Sequence, residues 1–419
     1  MIVNSIKIKG VLAFFALLFF STSCVEEYWP ELESNVDQLL VIDGKITNFD
    51  GPYTIILSTT NTLNTDIINP VSKAIVNISD DKGNNELLIE TGEGVYKTSL
   101  GGIKGIIGNA YKINIQLSNG KSYESDFEEM INPVGVEDVR VEESWQLANN
   151  DLEFDKEGYR FYVSSKIAPT SKSYFYWEIE ETFEYHSDYK IYYYYDSNSH
   201  VTTEFNTYGF GRTKNIDTLY FCWKTKNLLE RFSYSTEYLS SPKVIDLPLH
   251  FIPFTDVKLM HGYSILVKQY TISENAFVFL DKLNKQNNNE DALYTIQPFQ
   301  IEGNLTNIQD PSEPVLGYFI VAAGSLGPRI LTKAPPRIQY KHTKCVADTT
   351  ARTIYSKISS ATLRDLPLYY TVAYFEPPNE SSDIIEAIAY VQQDCLDCQK
   401  KGGTAIKPEY WDWKIQEKK

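Results

Sequence analysis

Hydrophobic and polar positions alternate in short runs along most of the chain, with a period of two rather than 3.6, and that rhythm predicts strands. The clearest run places Tyr111, Ile113, Ile115 and Leu117 on one face and Lys112, Asn114 and Gln116 on the other. It ends at Asn119-Gly120, a pair that tolerates positive φ and suits a tight hairpin into Lys121–Ser125. Ala74, Val76 and Ile78 repeat the alternation ahead of the turn residues Asp80 to Asn84. Together with runs at 39–47, 53–58, 86–90 and 95–98, about seven short strands fall within residues 38–131. That number and spacing are those of an Ig-like or transthyretin-like β-sandwich.

Asn132-Pro133 punctuates the pattern and a new alternating run opens at Val136, so a larger β-rich unit is expected over 134–419. Within it Phe175, Trp177, Ile179 and Phe183 share one strand face, while Glu178, Glu180 and Glu184 take the other and read as its solvated side. Further strands are expected at 159–165, 191–195, 219–223, 262–270, 315–323 and 368–374. One short helix is predicted. After Ser273 as N-cap, Ala276, Phe277, Leu280 and Leu283 recur at helical spacing, Lys282 and Lys285 suit the C-terminal end, and the polar run Gln286 to Asn289 stops it. The fold class is therefore mainly β: an N-terminal Ig-like/transthyretin-like β-sandwich followed by a larger β-sandwich-like domain with at least one short helix.

The first residues break this rhythm. Lys7 and Lys9 precede ten apolar residues, Val11 to Phe20, half of the roughly 20 that a spanning helix needs. Ser21, Thr22 and Ser23 then lead into Cys24. The segment reads as a lipoprotein signal peptide over 1–23, with Cys24 as the lipid-bearing first mature residue and 24–37 as a lipidated tether. Ser21 stands where such signals usually carry leucine. No later run approaches the spanning length, so Cys24 is expected to be the only membrane anchor.

Composition narrows the function classes. Hydrophobic residues make up 42% and aromatics 14%, enough apolar surface to exclude disorder throughout. With 39 basic against 55 acidic side chains the net charge is −16. Removal of 1–23 takes away two lysines and no acids, which makes it −18. A chain without a basic face is not expected to hold nucleic acid.

Besides Cys24 there are Cys222, Cys345, Cys395 and Cys398. In an exported chain an even set implies disulfides, with three possible connectivities. Cys395-Leu-Asp-Cys398 has zinc-knuckle or redox spacing, but a second close pair is lacking, so structural disulfides are expected and no metal. Zinc-protease, nucleophile-elbow and phosphate-loop motifs are absent from the sequence, and no catalytic residue or cofactor is assigned. Among 55 acids a glycosidase pair is not identifiable by spacing. The run Tyr192, Tyr193, Tyr194 and Tyr195 puts two tyrosines on each face of a strand, a possible binding surface weighed against core filling. Asp217-Thr218-Leu219 and Asp348-Thr349-Thr350 resemble short O-glycosylation sequences of Bacteroidota exported proteins.

Longer matches carry a family resemblance. Val41-Ile-Asp-Gly-Lys-Ile-Thr, Gly51-Pro-Tyr-Thr-Ile-Ile-Leu-Ser, Gly262-Tyr-Ser-Ile-Leu-Val, Ile301-Glu-Gly-Asn-Leu-Thr-Asn and Val315-Leu-Gly-Tyr-Phe belong to it. So does the C-terminal Cys395-x-x-Cys398 with Gly402-Gly403-Thr404, Lys407-Pro408 and Trp411. Together they resemble the Bacteroidota lipoprotein family called domain of unknown function 4249 (DUF4249). Cys24 followed by Glu26 and Glu27 also resembles the acidic export signal of surface lipoproteins in that phylum. The resemblance implies an outer-membrane lipoprotein facing the cell exterior and encoded beside a TonB-dependent receptor, without established enzymatic activity. On that basis the expected function is a non-catalytic binding or accessory subunit of a TonB-dependent transporter, its ligand unknown. A surface hydrolase acting on polysaccharide or peptide, and an adhesin or structural envelope protein, stay open as rivals.

Overall fold

The computed structural model describes residues 38–60, 69–148, 154–170, 172–189, 217–228, 232–287, 301, 303–340, 345 and 392–412, and the backbone of strands at 193–196, 201–204, 369–375 and 385–389. Cys24 and Tyr192 lie outside the described residues, as do the side chains of Tyr193, Tyr194 and Tyr195.

The fold is mainly β and is organised on one long, open sheet. Its strands run in the order 221–227, 174–186, 263–272, 316–326, 40–47, 54–59, 95–97 and 89–92. The half that holds 40–59 packs on a second sheet, ordered 305–307, 122–125, 110–116, 75–80 and 85–87. Ile42, Ile46, Ile55, Leu57 and Tyr96 face Val76, Ile78, Ile113, Ile115 and Tyr123 across this core, all of them buried. Their alternation is the one read from the sequence, because each strand gives one face to the core and one to water.

The expected sandwich of residues 38–131 is not closed by those residues alone. The strand Leu316–Leu326 lies parallel to Leu40–Thr47, pairing Leu316 with Val41 and Ala322 with Thr47, and Leu305–Asn307 pairs with Tyr123–Ser125. Gly317 makes the first pairing possible. Its φ is +90°, and a Cβ there would meet the Ile42 carbonyl at 1.8 Å.

The other half of the long sheet has both faces covered. Phe175, Trp177, Ile179, Ile265 and Val267 pack on a three-stranded sheet, 136–146, 156–165 and 247–253, through Val139, Phe161, Val163, Leu249 and Ile252. On the opposite face Tyr174, Tyr176, Tyr270 and Ile272 are covered by the helix Glu274–Asn287 through Ala276, Phe279 and Leu280. Ser273 caps it as expected, its Oγ accepting from the Ala276 N–H at 3.1 Å.

Two local expectations are corrected. The strand expected at 219–223 begins as a helical turn, Asp217–Tyr220, and becomes extended only from Phe221. Glu178 and Glu180 do not form a solvated face. The Glu178 carboxylate accepts from Lys45, Tyr176 and Tyr270, and Glu180 from Arg329 (2.6 Å) and Lys268 (3.0 Å). Burial pushes both carboxyls up, but these partners outweigh it and hold both below the usual carboxylate range.

Candidate functional site

The strand line Leu316–Leu326, continued by Ile330–Thr332 along the same neighbour, leads away from the chain entry at Leu40. At about 3.3 Å per residue it runs roughly 50 Å. Beyond its end lies the tip of the hairpin formed by Val136–Gln146 and Lys156–Ser165, so the tip and Leu40 occupy opposite poles.

The hairpin register explains what the tip exposes. Val141 opposite Phe161 lies against the core, Glu143 opposite Tyr159 lies one step out, and Trp145 opposite Glu157 is the next pair on the same face. The core-facing side of the hairpin therefore continues past the last layer able to cover it. Trp145 is 60% exposed, Leu147 72% and Phe154 88%. Arg337 ties the two strands at this level. Its Nη2 donates to Glu143 Oε2 at 2.7 Å and to Glu157 Oε1 at 2.6 Å, and its guanidinium sits over the Phe254 ring. Outside that clamp opens a groove of about 720 Å³ lined by 154–157, Phe254, Thr255, Val257, Ile338, Gln339 and Tyr340. Burial pushes the Tyr340 hydroxyl up to about 12, and the described residues give it no hydrogen-bond partner.

The C-terminal segment is fastened to the end of strand 174–186. Cys222 is bonded to Cys398 and Cys345 to Cys395, so each member of the Cys-x-x-Cys pair reaches a distant partner. The tyrosines that precede the Tyr192–Tyr195 run act as pins. Tyr185 donates to the Cys398 carbonyl at 2.6 Å and Tyr189 to the Cys345 carbonyl at 2.8 Å. Trp411, buried, donates its indole N–H to Glu184 Oε2 at 2.7 Å, and Glu184 Oε1 lies 2.9 Å from His186 Nε2. Burial pushes Glu184 up, yet His186, Trp411 and the nearby His261 hold it below the usual range. Asp188, Cys345 and Cys395 bring ligand atoms within 4.8 Å of one another, but both sulfurs are spent in the disulfide, and a metal requires thiolates.

The run Tyr193–Asp196 forms a strand between 201–204 and 369–370. Of the glycosylation-like sequences, Asp217-Thr218-Leu219 falls on the helical turn under the disulfides with Leu219 buried, and 348–350 lies outside the described residues. Sequence reading missed Trp145, Leu147, Phe154 and the groove. Their signal was present: two apolar residues at alternate positions beside the polar stretch Asn149-Asn150-Asp151.

These features define a sandwich-built β protein with one covalently braced, apolar-tipped pole. Over residues 25–325 the chain matches the family described as Domain of unknown function (DUF4249), and it belongs to that family. Among curated proteins none matches it.

Proposed function

We propose that the protein is a lipoprotein anchored through Cys24 in the outer membrane, facing the cell exterior, and that it acts by binding, as an accessory subunit of a TonB-dependent transporter. The observation that carries this reading is the polarity of the molecule. The tether enters at Leu40, and the exposed Trp145, Leu147 and Phe154 stand at the opposite end. Protruding apolar side chains on a rigid hairpin are the usual anchors of protein interfaces. The run Tyr192 to Tyr195, three of whose tyrosines lie on the strand Tyr193–Asp196, would add a further anchor.

The test is capture of the tagged protein from outer membranes in mild detergent. A β-barrel receptor is expected with the wild type and is lost when Trp145, Leu147 and Phe154 are all changed to Ser. Cys24→Ala is expected to abolish palmitate labelling. Capture of no barrel by the wild type refutes the partner, and persistent labelling in Cys24→Ala refutes the anchor.

A further inference from the structure

We infer that the open edge of the strand Val136–Gln146 takes up an extended, basic segment of a partner protein as an added strand, an assignment that rests on the recognition reading and supplies its binding mode. At 11 residues it is the longest terminal strand of the described sheets. Its sheet runs in the order 136–146, 156–165 and 247–253, so one side of it has no neighbouring strand. In an antiparallel strand about half of the backbone N–H and C=O groups point to that side. Among the described residues no backbone group outside the pairing with 156–165 bonds to 138–146. Other edges are blunted or short. The far edge of the same sheet, Leu247–Pro253, carries Pro248 and Pro253 and a register shift, and Phe221–Asn227 is bridged at Trp223 by Thr404. The other terminal strands have only three to five residues. By contrast 138–146 contains no proline and pairs without a register shift.

Charge chooses among occupants. The strand carries Glu137, Asp138, Glu142 and Glu143 against Arg140 alone. Arg140 is shared between Glu142 and Asp246, Lys243 answers Glu137, and Arg337 is shared between Glu143 and Glu157. The strand and the ion pairs it makes therefore hold six carboxylates and three cations. Opposite charges paired across strands stabilise a sheet and like charges oppose it. A second copy of this chain, adding the same edge, would double the acidic excess, whereas a segment with Lys or Arg at alternate positions meets the opposite sign. Apolar contact is available at the outer end, where Trp145 and Leu147 are exposed. Strand addition draws affinity from the main chain and specificity from alternate side chains. A basic strand with an apolar residue beside Trp145 thus satisfies the open ladder, the charge and the exposed ring together.

The experiment is amide hydrogen exchange of the purified full chain with the synthetic peptide Lys-Thr-Val-Lys-Phe-Lys-Val-Thr. Two control peptides accompany it: one with Glu in place of Lys, and a fully N-methylated one that keeps the charge and loses every backbone N–H donor. The basic peptide is expected to slow exchange within 138–146, and neither control is. Its affinity, read by fluorescence anisotropy, is expected to weaken roughly fivefold in Glu142→Lys, which reverses a cross-strand charge. In Trp145→Ser, which removes the apolar contact, it is expected to weaken roughly tenfold. Both side chains are exposed, and unchanged melting temperatures would verify that the variants fold. No protection by the basic peptide, equal protection by either control, or unchanged affinity in both variants overturns the assignment. Protection that rises with the chain's own concentration, without peptide, also overturns it and gives the edge to a second copy. Because no barrel is present in this measurement, its failure is separate from failure of co-purification.

Discussion

The two poles of the long sheet are held by different physics. Around the chain entry, two sheets close on a continuous apolar core from Leu40 to Phe319, and no cysteine lies in residues 38–131. At the far pole the segment 392–412 consists of two short 3-10 turns and loops whose buried apolar residues, Leu396 and Trp411, are too few to fix it. Two disulfides and a web of tyrosine, tryptophan and carboxylate hydrogen bonds do so instead. Covalent closure replaces burial where a segment cannot form a core, as it does in small secreted domains. The difference also divides labour: the dry end holds the chain together, and the braced end can display apolar groups without collapsing around them.

The largest expected effect breaks the brace. Cys222 and Cys398 are 176 residues apart, so their bond closes a long loop. Changing both to Ala is expected to cost about 4 kcal/mol. The loss should be local. Amide exchange should accelerate in 217–227 and 392–412 while 40–59 and 110–125 keep their protection, and uniform acceleration would show that the poles unfold as one. Next in size is Ile113→Ala in the fully buried sandwich core, expected to cost about 3 kcal/mol. Here a denaturant melt should show the whole chain losing stability, since strands from 305–326 complete that core.

A smaller pair of effects separates the poles by pH. Burial pushes the Glu128 carboxyl up, against the hydrogen bonds it accepts from Tyr318 and Ser273. A carboxyl raised by folding leaves stability unaffected below its unfolded pKa, and stability falls as pH rises from there towards the folded value. Glu128→Gln is therefore expected to raise the melting temperature at neutral pH and to leave it nearly unchanged in acid. Glu184 is shifted the other way. Its contribution is present above the unfolded carboxylate pKa and fades as pH falls through the lowered folded value. Glu184→Gln should thus lower the melting temperature at neutral pH and converge with the wild type in acid. Melts across pH check both signs.

How much of this was legible follows from which interactions are local. Tyr111 to Leu117 and the capped helix after Ser273 declare themselves within a few residues, and both stand where expected. Closure of the first sandwich by Leu316–Leu326 does not, because a parallel partner 275 residues downstream (Val41 with Leu316) leaves no trace in periodicity. Glu178 and Glu180 fit the alternation of a solvated face, yet Lys45, Arg329 and Lys268 come from three other strands or loops to meet them. Glu181 is fully buried on the apolar face, which is tolerated because Tyr263 and Lys258 answer it. The cysteine count announced disulfides, whereas the pairing depended on which strand end the C-terminal segment reaches.

The smallest expected change in stability falls on the residues expected to matter most for binding. Trp145, Leu147 and Phe154 are 60–88% exposed, so changing them to Ser removes little buried area. Surface substitutions of this kind usually stay within about 0.5 kcal/mol each. The fold at this level is held from beneath by Arg337, bonded to Glu143 and Glu157, and by Tyr159 donating to the Lys333 carbonyl at 3.1 Å. The triple variant should therefore melt almost as the wild type does while losing its partner. The contrasting change, Arg337→Ala, should loosen the hairpin and widen the groove while the exposed tip residues remain. A triple variant that lost several kcal/mol would identify the tip as an extension of the core. Full stability together with lost co-purification would assign it to recognition.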